Sequence, residues 1–199
     1  MNKEITHCLL CDQVLSIESS WLTLLERFSR TICIRCEQNF ETYVNPEDDH
    51  IALYYYNEAM KDYMHRYKFM HDVLLAKVFR KNIAGQLKRI QGIIVPVPMH
   101  PEKMKERTFS QVDELLKAAE IPYQQVLQKT TTETQVGKTR EERMNVKQLF
   151  RVRNEMIIKP THYIIVDDIF TTGTTIAHAE KVLLEAGAKK VSSFSLIRG

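Results

Sequence analysis

Tyr163-Ile-Ile-Val-Asp-Asp-Ile-Phe-Thr-Thr-Gly-Thr-Thr175 decides the fold. Tyr163 to Val166 is an apolar, β-branched run of the kind buried on both faces of a parallel sheet. The segment Thr174 to Ala186 follows with Ile176, Ala179, Val182, Leu183 and Ala186 on one helical stripe, and Gly187 stands as a C′ residue. Val191 to Ile197 then completes a strand, helix, strand crossover. Such a unit implies an open α/β sheet whose ligand site lies at the carboxyl ends of the strands.

The junction between that strand and helix is chemically distinctive. Free N–H groups at a helix N-terminus, aided by the hydroxyls of Thr171, Thr172, Thr174 and Thr175, form an anion nest, and Gly173 lets the chain turn tightly around a phosphate. Asp167 and Asp168 stand beside it, and adjacent carboxylates repel unless something uses them. Ribose hydroxyls are natural donors to both. A carboxylate pair beside a phosphate cradle describes a site for a sugar phosphate. An Asp/Thr-rich N-cap with no ligand accounts for the threonines but poorly for the paired acids.

Upstream of this unit, Ile51 to Tyr56 reads as a strand, Val73 to Leu87 as a helix and Ile93 to Val97 as a short strand ended by prolines. Phe109 to Ala119 suggests a helix, Gln124 to Leu127 a weak strand, and Glu141 to Leu149 a short amphipathic helix. The polar loop Thr130 to Arg143 is either a mobile lid or an exposed connection.

The first 36 residues follow a different pattern. They hold all four cysteines, as Cys8-Leu-Leu-Cys11 and Cys33-Ile-Arg-Cys36, with 21 residues between the pairs. A CxxC turn lets two sulfurs converge on one ion, and two such pairs complete a tetrahedral site. A closed four-cysteine site leaves no open coordination position, so the expected role is structural Zn2+. A thioredoxin-type redox site needs one pair beside a βαβ unit, and none adjoins here. The head is expected to span residues 1–48, ending at the run Asn45-Pro46-Glu47-Asp48-Asp49-His50, with an α/β domain over 49–199.

Of the 199 residues, 44% are hydrophobic, enough for a real core, and six Gly with six Pro exclude collagen-like and Gly/Pro-rich disordered classes. No apolar run approaches the ~18 residues of a membrane-spanning helix. Met1 to Asp12 lacks a basic segment followed by an apolar one, so a cytoplasmic location without membrane insertion is expected. The formal charge of +3 divides into −5 over residues 1–50 and +8 over 51–199, and positions 59–107 alone carry 11 basic and 4 acidic residues. A basic body behind an acidic head attracts phosphates, on a small ligand or on nucleic acid. Lys77, Arg80, Lys81, Lys88 and Arg89 along one helix read as a solvated face or a DNA-tracking ridge. Tyr54 to Tyr56, Tyr63, Tyr67 and Phe69 interleave with Lys61, Arg66 and Lys68, either as core or as stacking platforms for a single strand. The histidines are scattered among different elements and suggest no second metal site.

On these residues the chain resembles two families, one nested in the other. Residues 163–175 resemble the phosphoribosyl-pyrophosphate (PRPP) motif of type I phosphoribosyltransferases: apolar strand, two acids, Thr/Gly loop. With the cysteine head, the whole chain resembles the ComF competence proteins, which pair a zinc finger with a phosphoribosyltransferase-like domain. Further matches are Val95-Pro-Val-Pro98, Arg107-Thr-Phe-Ser-Gln111, Tyr67-Lys68 with Asp72, and Thr134/Gln135 followed by Arg140 and Arg143. His71 stands where a small residue is commoner in the family, and Lys138 where an apolar one is usual. The resemblance implies an open, mostly parallel sheet flanked by helices, with a small N-terminal four-cysteine zinc ribbon. It implies that Asp167 and Asp168 hold the ribose 2′ and 3′ hydroxyls, that Thr171 to Thr175 cradle the 5′-phosphate, and that Mg2+ accompanies PRPP. Lys68 is implied on the pyrophosphate loop, and Arg107 near the pyrophosphate or second substrate.

The same resemblance implies a role in DNA uptake during natural transformation. A non-catalytic module that keeps the fold and grips single-stranded DNA or a competence helicase is the alternative reading, because fold alone does not settle activity. A salvage or amidophosphoribosyl enzyme fits less well, since glutamine-dependent transfer needs an N-terminal nucleophilic cysteine and the head's cysteines are arranged as metal ligands.

Overall fold

The computed structural model describes residues 5–15, 27–44, 50–130 and 149–199. Its centre is β5 (His162–Phe170), preceded in the chain by β1 (His50–Tyr55), β2 (Ile93–Pro96), β3 (Leu127–Lys129) and β4 (Phe150–Val152). The last strand is β6, Lys190–Arg198. Four of these form one sheet in the order β1-β6-β5-β2, and every pairing in it is parallel. β3 and β4 form a separate antiparallel ribbon.

The apolar run of β5 is buried on both sides, as its composition requires. Ile164 and Val166 join one hydrophobic core, and Tyr163 and Ile165 join a second. The helix after β5, Thr174–Glu185, packs Ile176, Ala179, Val182 and Leu183 into the second core with Val126, Leu127 and Phe150 of the ribbon region. Gly187 follows its C-cap with φ 109°, a left-handed conformation that costs a glycine little. Full burial of each aliphatic side chain contributes about 1.5–3 kcal/mol, which is why the crossover is the most strongly specified part of the sheet.

The opposite face is covered by a helix at Glu58–Phe69, a 3-10 turn at Val73–Lys77, and helices at Arg80–Leu87 and Gln111–Ala118. In chain order, with the head's short Ile34–Glu37 as α1, these helices are α2 (Glu58–Phe69), α3 (Arg80–Leu87), α4 (Pro101–Arg107), α5 (Gln111–Ala118) and α6 (Thr174–Glu185). The open parallel sheet flanked by helices is the expected architecture.

Several local expectations are corrected. The polar stretch after β1 is helix α2, started by Asn57, whose side chain accepts from the Met60 N–H. The segment expected as one helix, Val73 to Leu87, is a 3-10 turn and then α3, with Val78 and Phe79 buried at the break. Helix α4 and strand β4 have no counterpart in the sequence reading. The weak strand expected at Gln124 to Leu127 begins instead at Leu127, and β5 runs four residues beyond Val166, carrying both aspartates within the strand. The helix expected at Glu141 to Leu149 lies outside the described residues except for Leu149, as do Thr134, Gln135, Lys138, Arg140 and Arg143.

The head shares the body's core rather than standing apart. Cys8, Leu15, Phe28, Ile32, Cys36 and Phe40 belong to the same apolar cluster as Tyr63, Phe79 and Leu116. Phe40 meets Tyr54, Tyr63 and Phe79 edge-on, with centroids 6.1, 6.4 and 4.9 Å away. Residues Glu41 to Tyr43 run antiparallel along β1, through Tyr43 N–H to Leu53 O at 2.8 Å and Tyr55 N–H to Glu41 O at 2.9 Å. Among the described residues no helix is long and apolar enough to cross a membrane.

Candidate phosphate site and cysteine centre

β5 delivers Asp167 and Asp168 to the carboxyl end of the parallel sheet. Up to Val166 the strand alternates between the two cores, but Ile169 packs against the first core and Phe170 against the second. The facing of the strand therefore changes phase across the two aspartates. Asp167 Oδ1 accepts from the Asp168 N–H at 2.8 Å. Burial, and then the charge of Asp168, push the Asp167 carboxyl up to about 7, against the opposing pull of the Asp168 N–H, Lys68 and Lys129.

Asp168 has a partner from a distant part of the chain. Lys68 Nζ, in the last turn of α2, lies 2.5 Å from Asp168 Oδ2, and both side chains are largely buried. Asp168 is thus held in an internal ion pair. The same pair brings together two of the residues the sequence singled out.

The loop Thr171 to Gly173 leads into α6. Gly173 is its N-cap at φ 76°, and a Cβ there would lie 2.8 Å from Phe170 Cζ. The Phe170 ring is itself held, stacked 4.0 Å from His50 and 4.3 Å from the Arg198 guanidinium. His50 is buried and shares hydrogen bonds with Ser193 and Ser195 at 2.7 and 2.8 Å. The Thr172 and Thr174 hydroxyls lie 2.9 Å apart. Thr171, Thr172 and Thr174 are exposed, and the first amides of α6 have no carbonyl one turn back to accept them. Together these supply donors and a positive dipole end to an anion.

Arg107 closes α4, with its guanidinium 4.7 Å over the Phe69 ring and its buried Nε without a hydrogen-bond partner among the described residues. It thus neighbours the Lys68 loop through Phe69 and makes no direct contact with either aspartate among the described hydrogen bonds and ion pairs. His71, in that loop, adopts φ 56°, the conformation a glycine would take without strain. Sequence reading missed Lys129, at the end of β3. Its ammonium is pulled down by burial and then by Lys103, and raised by Asp167, so it belongs to the electrostatic field of the acidic pair. Only tertiary packing of the ribbon against the sheet reveals it.

The aromatics divide cleanly. Tyr54, Tyr63 and Tyr67 are buried, and the Tyr63 and Tyr67 hydroxyls donate to Leu75 O at 3.2 Å and Gln111 O at 2.7 Å. They are core, not stacking platforms. Tyr55, Tyr56 and Phe69 are exposed. Of the basic residues read as a solvated face or a DNA-tracking ridge, Arg80 is engaged with the head, donating to Ser29 O at 2.9 Å and Ser29 Oγ at 3.1 Å.

The four cysteines converge in the head. Their Sγ atoms all lie within 4.8 Å of one another. Cys11 and Cys33 Sγ are 3.7 Å apart, far from the ~2.05 Å of a disulfide and close to the roughly 3.8 Å edge of a tetrahedron with Zn–S bonds of ~2.3 Å. The first pair sits in a tight knuckle: Cys8 N–H donates to Gln13 O at 2.8 Å, Asp12 N–H to Cys8 O at 2.9 Å, and the Cys33 N–H to Cys8 Sγ at 3.3 Å. Burial raises the Cys8 thiol, but the amides of Cys33, Cys11 and Leu10 outweigh it and hold the group at about 7. Burial and hydrogen bonds among the cysteines hold Cys36 well above the usual thiol range. A cluster of this geometry is compatible with a zinc ribbon.

No protein-family model matches the chain. It is 34% identical to competence protein ComFC of Streptococcus pneumoniae, over 96% of this chain and 99% of that protein. It is 27% identical to competence protein ComFC of Bacillus subtilis, over 96% and 94%. Among solved structures it is similar to a hypoxanthine phosphoribosyltransferase from Staphylococcus aureus, with 17% identity, 62% of each chain covered and a TM-score of 0.37.

Proposed function

The chain belongs to the ComFC family of competence proteins, and on that premise we propose that it is a cytoplasmic PRPP-binding protein acting in DNA uptake during natural transformation. The observation that carries this reading is the convergence of Lys68 on Asp168 beside Asp167, at the carboxyl end of β5 and next to the exposed start of α6. A carboxylate pair for ribose hydroxyls, a lysine for pyrophosphate and an amide-rich loop for a 5′-phosphate then occupy one end of the sheet. Thr171, Thr172, Gly173, Thr174 and Thr175 take the 5′-phosphate, Lys68 and Arg107 serve the pyrophosphate side, and Asp167 with Asp168 hold the ribose. Mg2+ bound with PRPP supplies charge neutralisation on the pyrophosphate. On binding, Lys68 exchanges part of its contact with Asp168 for a phosphate oxygen, which frees that carboxylate for a hydroxyl. In the head, Cys8, Cys11, Cys33 and Cys36 hold a structural Zn2+, with no position left open for chemistry.

Calorimetric titration of PRPP into the full chain, with and without Mg2+, tests the site. Binding that strengthens with Mg2+ and disappears in Asp167→Ala/Asp168→Ala is the expected result, and an absence of heat in the wild type ends the reading.

One observation favours a second reading, a non-catalytic adaptor for single-stranded DNA or a competence helicase. Phe69 is exposed and lies 4.7 Å under the Arg107 guanidinium, which offers a π-face and a cation to a stacked base. Pyrophosphate release from PRPP in the presence of candidate acceptors separates an enzyme from such a module.

A further inference from the structure

Arg66 touches both the cysteine knuckle and the loop that follows Lys68. It lies in the last turn of α2, two residues before Lys68. Its Nη1 donates to Leu10 O at 2.9 Å and its Nη2 to Leu9 O at 2.8 Å, the two carbonyls between Cys8 and Cys11. The same Nη2 donates to Asp72 Oδ2 at 3.2 Å. Its own carbonyl accepts from the N–H groups of Met70 and Asp72, at 3.2 and 3.3 Å. The guanidinium fork therefore grips the knuckle at one end, while main chain and Asp72 bind the turn at 70–72, just after α2, to the same residue.

The geometry is specific to arginine. A planar fork satisfies two carbonyls and a carboxylate at once, which a lysine ammonium on a flexible stem does not reproduce. The bridge is partly shielded, with about a third of each side chain of Arg66 and Asp72 exposed. The loop it holds contains a left-handed His71, φ 56°, a conformation that persists only where surrounding contacts over-determine it. Orientation of the Leu9 and Leu10 carbonyls depends in turn on the knuckle that Cys8 and Cys11 close.

We infer that Arg66 is a positioning residue that couples the cysteine centre to the end of α2 that carries Lys68. With the knuckle closed on its metal, Arg66 and Asp72 fix residues 67–72 and set Lys68 toward Asp168. With the knuckle open, the fork loses two acceptors and the loop loses its anchor. This rests on the phosphate-binding reading above, and it adds that anion affinity depends on the metal state of the head. Coupling between two sites is reciprocal, so an anion held by Lys68 must strengthen metal binding by the factor by which metal strengthens anion binding.

The test uses full-length, zinc-loaded protein and inorganic pyrophosphate with Mg2+. The equilibrium transfer of zinc to a chromophoric chelator is measured with and without saturating pyrophosphate, and pyrophosphate binding is measured separately by calorimetry. Pyrophosphate should raise the zinc affinity read from that equilibrium about 5-fold or more in the wild type, the lower end of usual coupling, and less than about 2-fold in Arg66→Ala. Because the variant meets the same pyrophosphate, it corrects for direct chelation by that ion. Arg66→Lys, which keeps the charge, should behave like Arg66→Ala, and Asp72→Asn, which keeps the knuckle bonds, should also lose the protection. Should Arg66→Ala fail to fold, these two variants carry the comparison. Equal protection in wild type and variants overturns the inference, and full protection in Arg66→Lys overturns the role of the fork. Calorimetric heat without any effect on zinc transfer overturns the coupling alone, whereas no heat removes the phosphate site and the coupling with it.

Discussion

Lys68 and Asp168, a hundred residues apart in sequence, meet at 2.5 Å with only 15% and 16% of their side chains exposed. The contact joins the end of α2 to the end of β5, so it ties the helical layer to the sheet where the proposed ligand sits. Removing either partner leaves the other charge poorly solvated, at a cost of about 1–3 kcal/mol, somewhat below the loss for a fully buried pair. Lys68→Ala and Asp168→Ala should each lower stability by that amount. The double variant should lose less than the two losses combined. Urea unfolding of the four proteins checks the cycle, and additive losses would show the pair to be energetically idle. The proposed PRPP binding should weaken at least tenfold in Lys68→Ala.

Asp167 predicts a pH dependence. Its folded-state pKa, about 7, is above the 3.8 of an ordinary aspartate, chiefly through burial and then through the charge of Asp168. The folded chain therefore holds this proton more tightly than the unfolded chain does. Its contribution to stability is greatest below about pH 4 and is lost as pH rises to about 7. Asp167→Asn should remove that slope, gaining about 1–2 kcal/mol on wild type between about pH 5 and pH 8, a shift of several degrees in Tm. Thermal melts at the two pH values decide it. PRPP affinity in the wild type should instead rise through about pH 7, as the carboxylate ionises and accepts ribose hydroxyls.

Gly173 is the residue of the phosphate loop least tolerant of a side chain. Alanine there meets two penalties: a left-handed φ of 76°, costing roughly 1–2 kcal/mol, and a Cβ 2.8 Å from Phe170 Cζ. Phe170 has little room to retreat, because His50 and Arg198 hold its ring. Gly173→Ala should therefore destabilise the chain by about 2 kcal/mol and displace the start of α6, weakening phosphate binding more than any single Thr171→Ala or Thr172→Ala. Calorimetry of all three variants gives the ranking.

Chelation should reach beyond the head. Phe28, Ile32 and Phe40 share one core with Tyr63 and Phe79, so opening the four-cysteine cluster exposes apolar surface of the body as well. Cys36→Ser, or excess chelator, should lower the main unfolding transition and not merely remove a minor early one. A main transition unchanged in Tm would show the head to be energetically independent.

What the sequence reveals follows the strength of local pattern. The crossover from β5 through α6 to β6 is legible because Tyr163 to Val166 and the stripe Ile176, Ala179, Val182, Leu183 are unambiguous, and Gly187 marks the stop. The cysteine cluster is legible for the same reason, since paired CxxC spacing has few other uses. Helix α2 is obscured by its composition: tyrosines suggest strands, although Met60, Tyr63, Met64 and Tyr67 follow helical spacing and are all buried. The break at Val78 and Phe79 is hidden because both residues are apolar and continue the stripe. The ion pair of Asp168, the field of Lys129 on Asp167 and the bridge of Arg66 have no local signature. They arise where α2, the β3–β4 ribbon and the head dock around one sheet end.

The division of the aromatic residues gives a last prediction, for single-stranded DNA. Tyr63 and Tyr67 donate to backbone carbonyls inside the core, so of Tyr54 to Tyr56, Tyr63, Tyr67 and Phe69 only Tyr55, Tyr56 and Phe69 are exposed for bases to stack on. Phe69 is 57% exposed and lies under the Arg107 guanidinium, a pairing that offers a π-face and a cation together. If the chain holds a single strand here, Phe69→Ala should weaken binding by about 1–3 kcal/mol, the worth of one stacked base. Affinity should also fall steeply with salt as phosphate contacts are screened. Tyr55→Ala and Tyr56→Ala, at the last residue of β1 and the one after it and outside the basic 59–107 segment, should cost less. Fluorescence anisotropy of an oligothymidine across a salt series measures all of these, and a flat salt response with no loss in Phe69→Ala removes this face as a nucleic-acid contact.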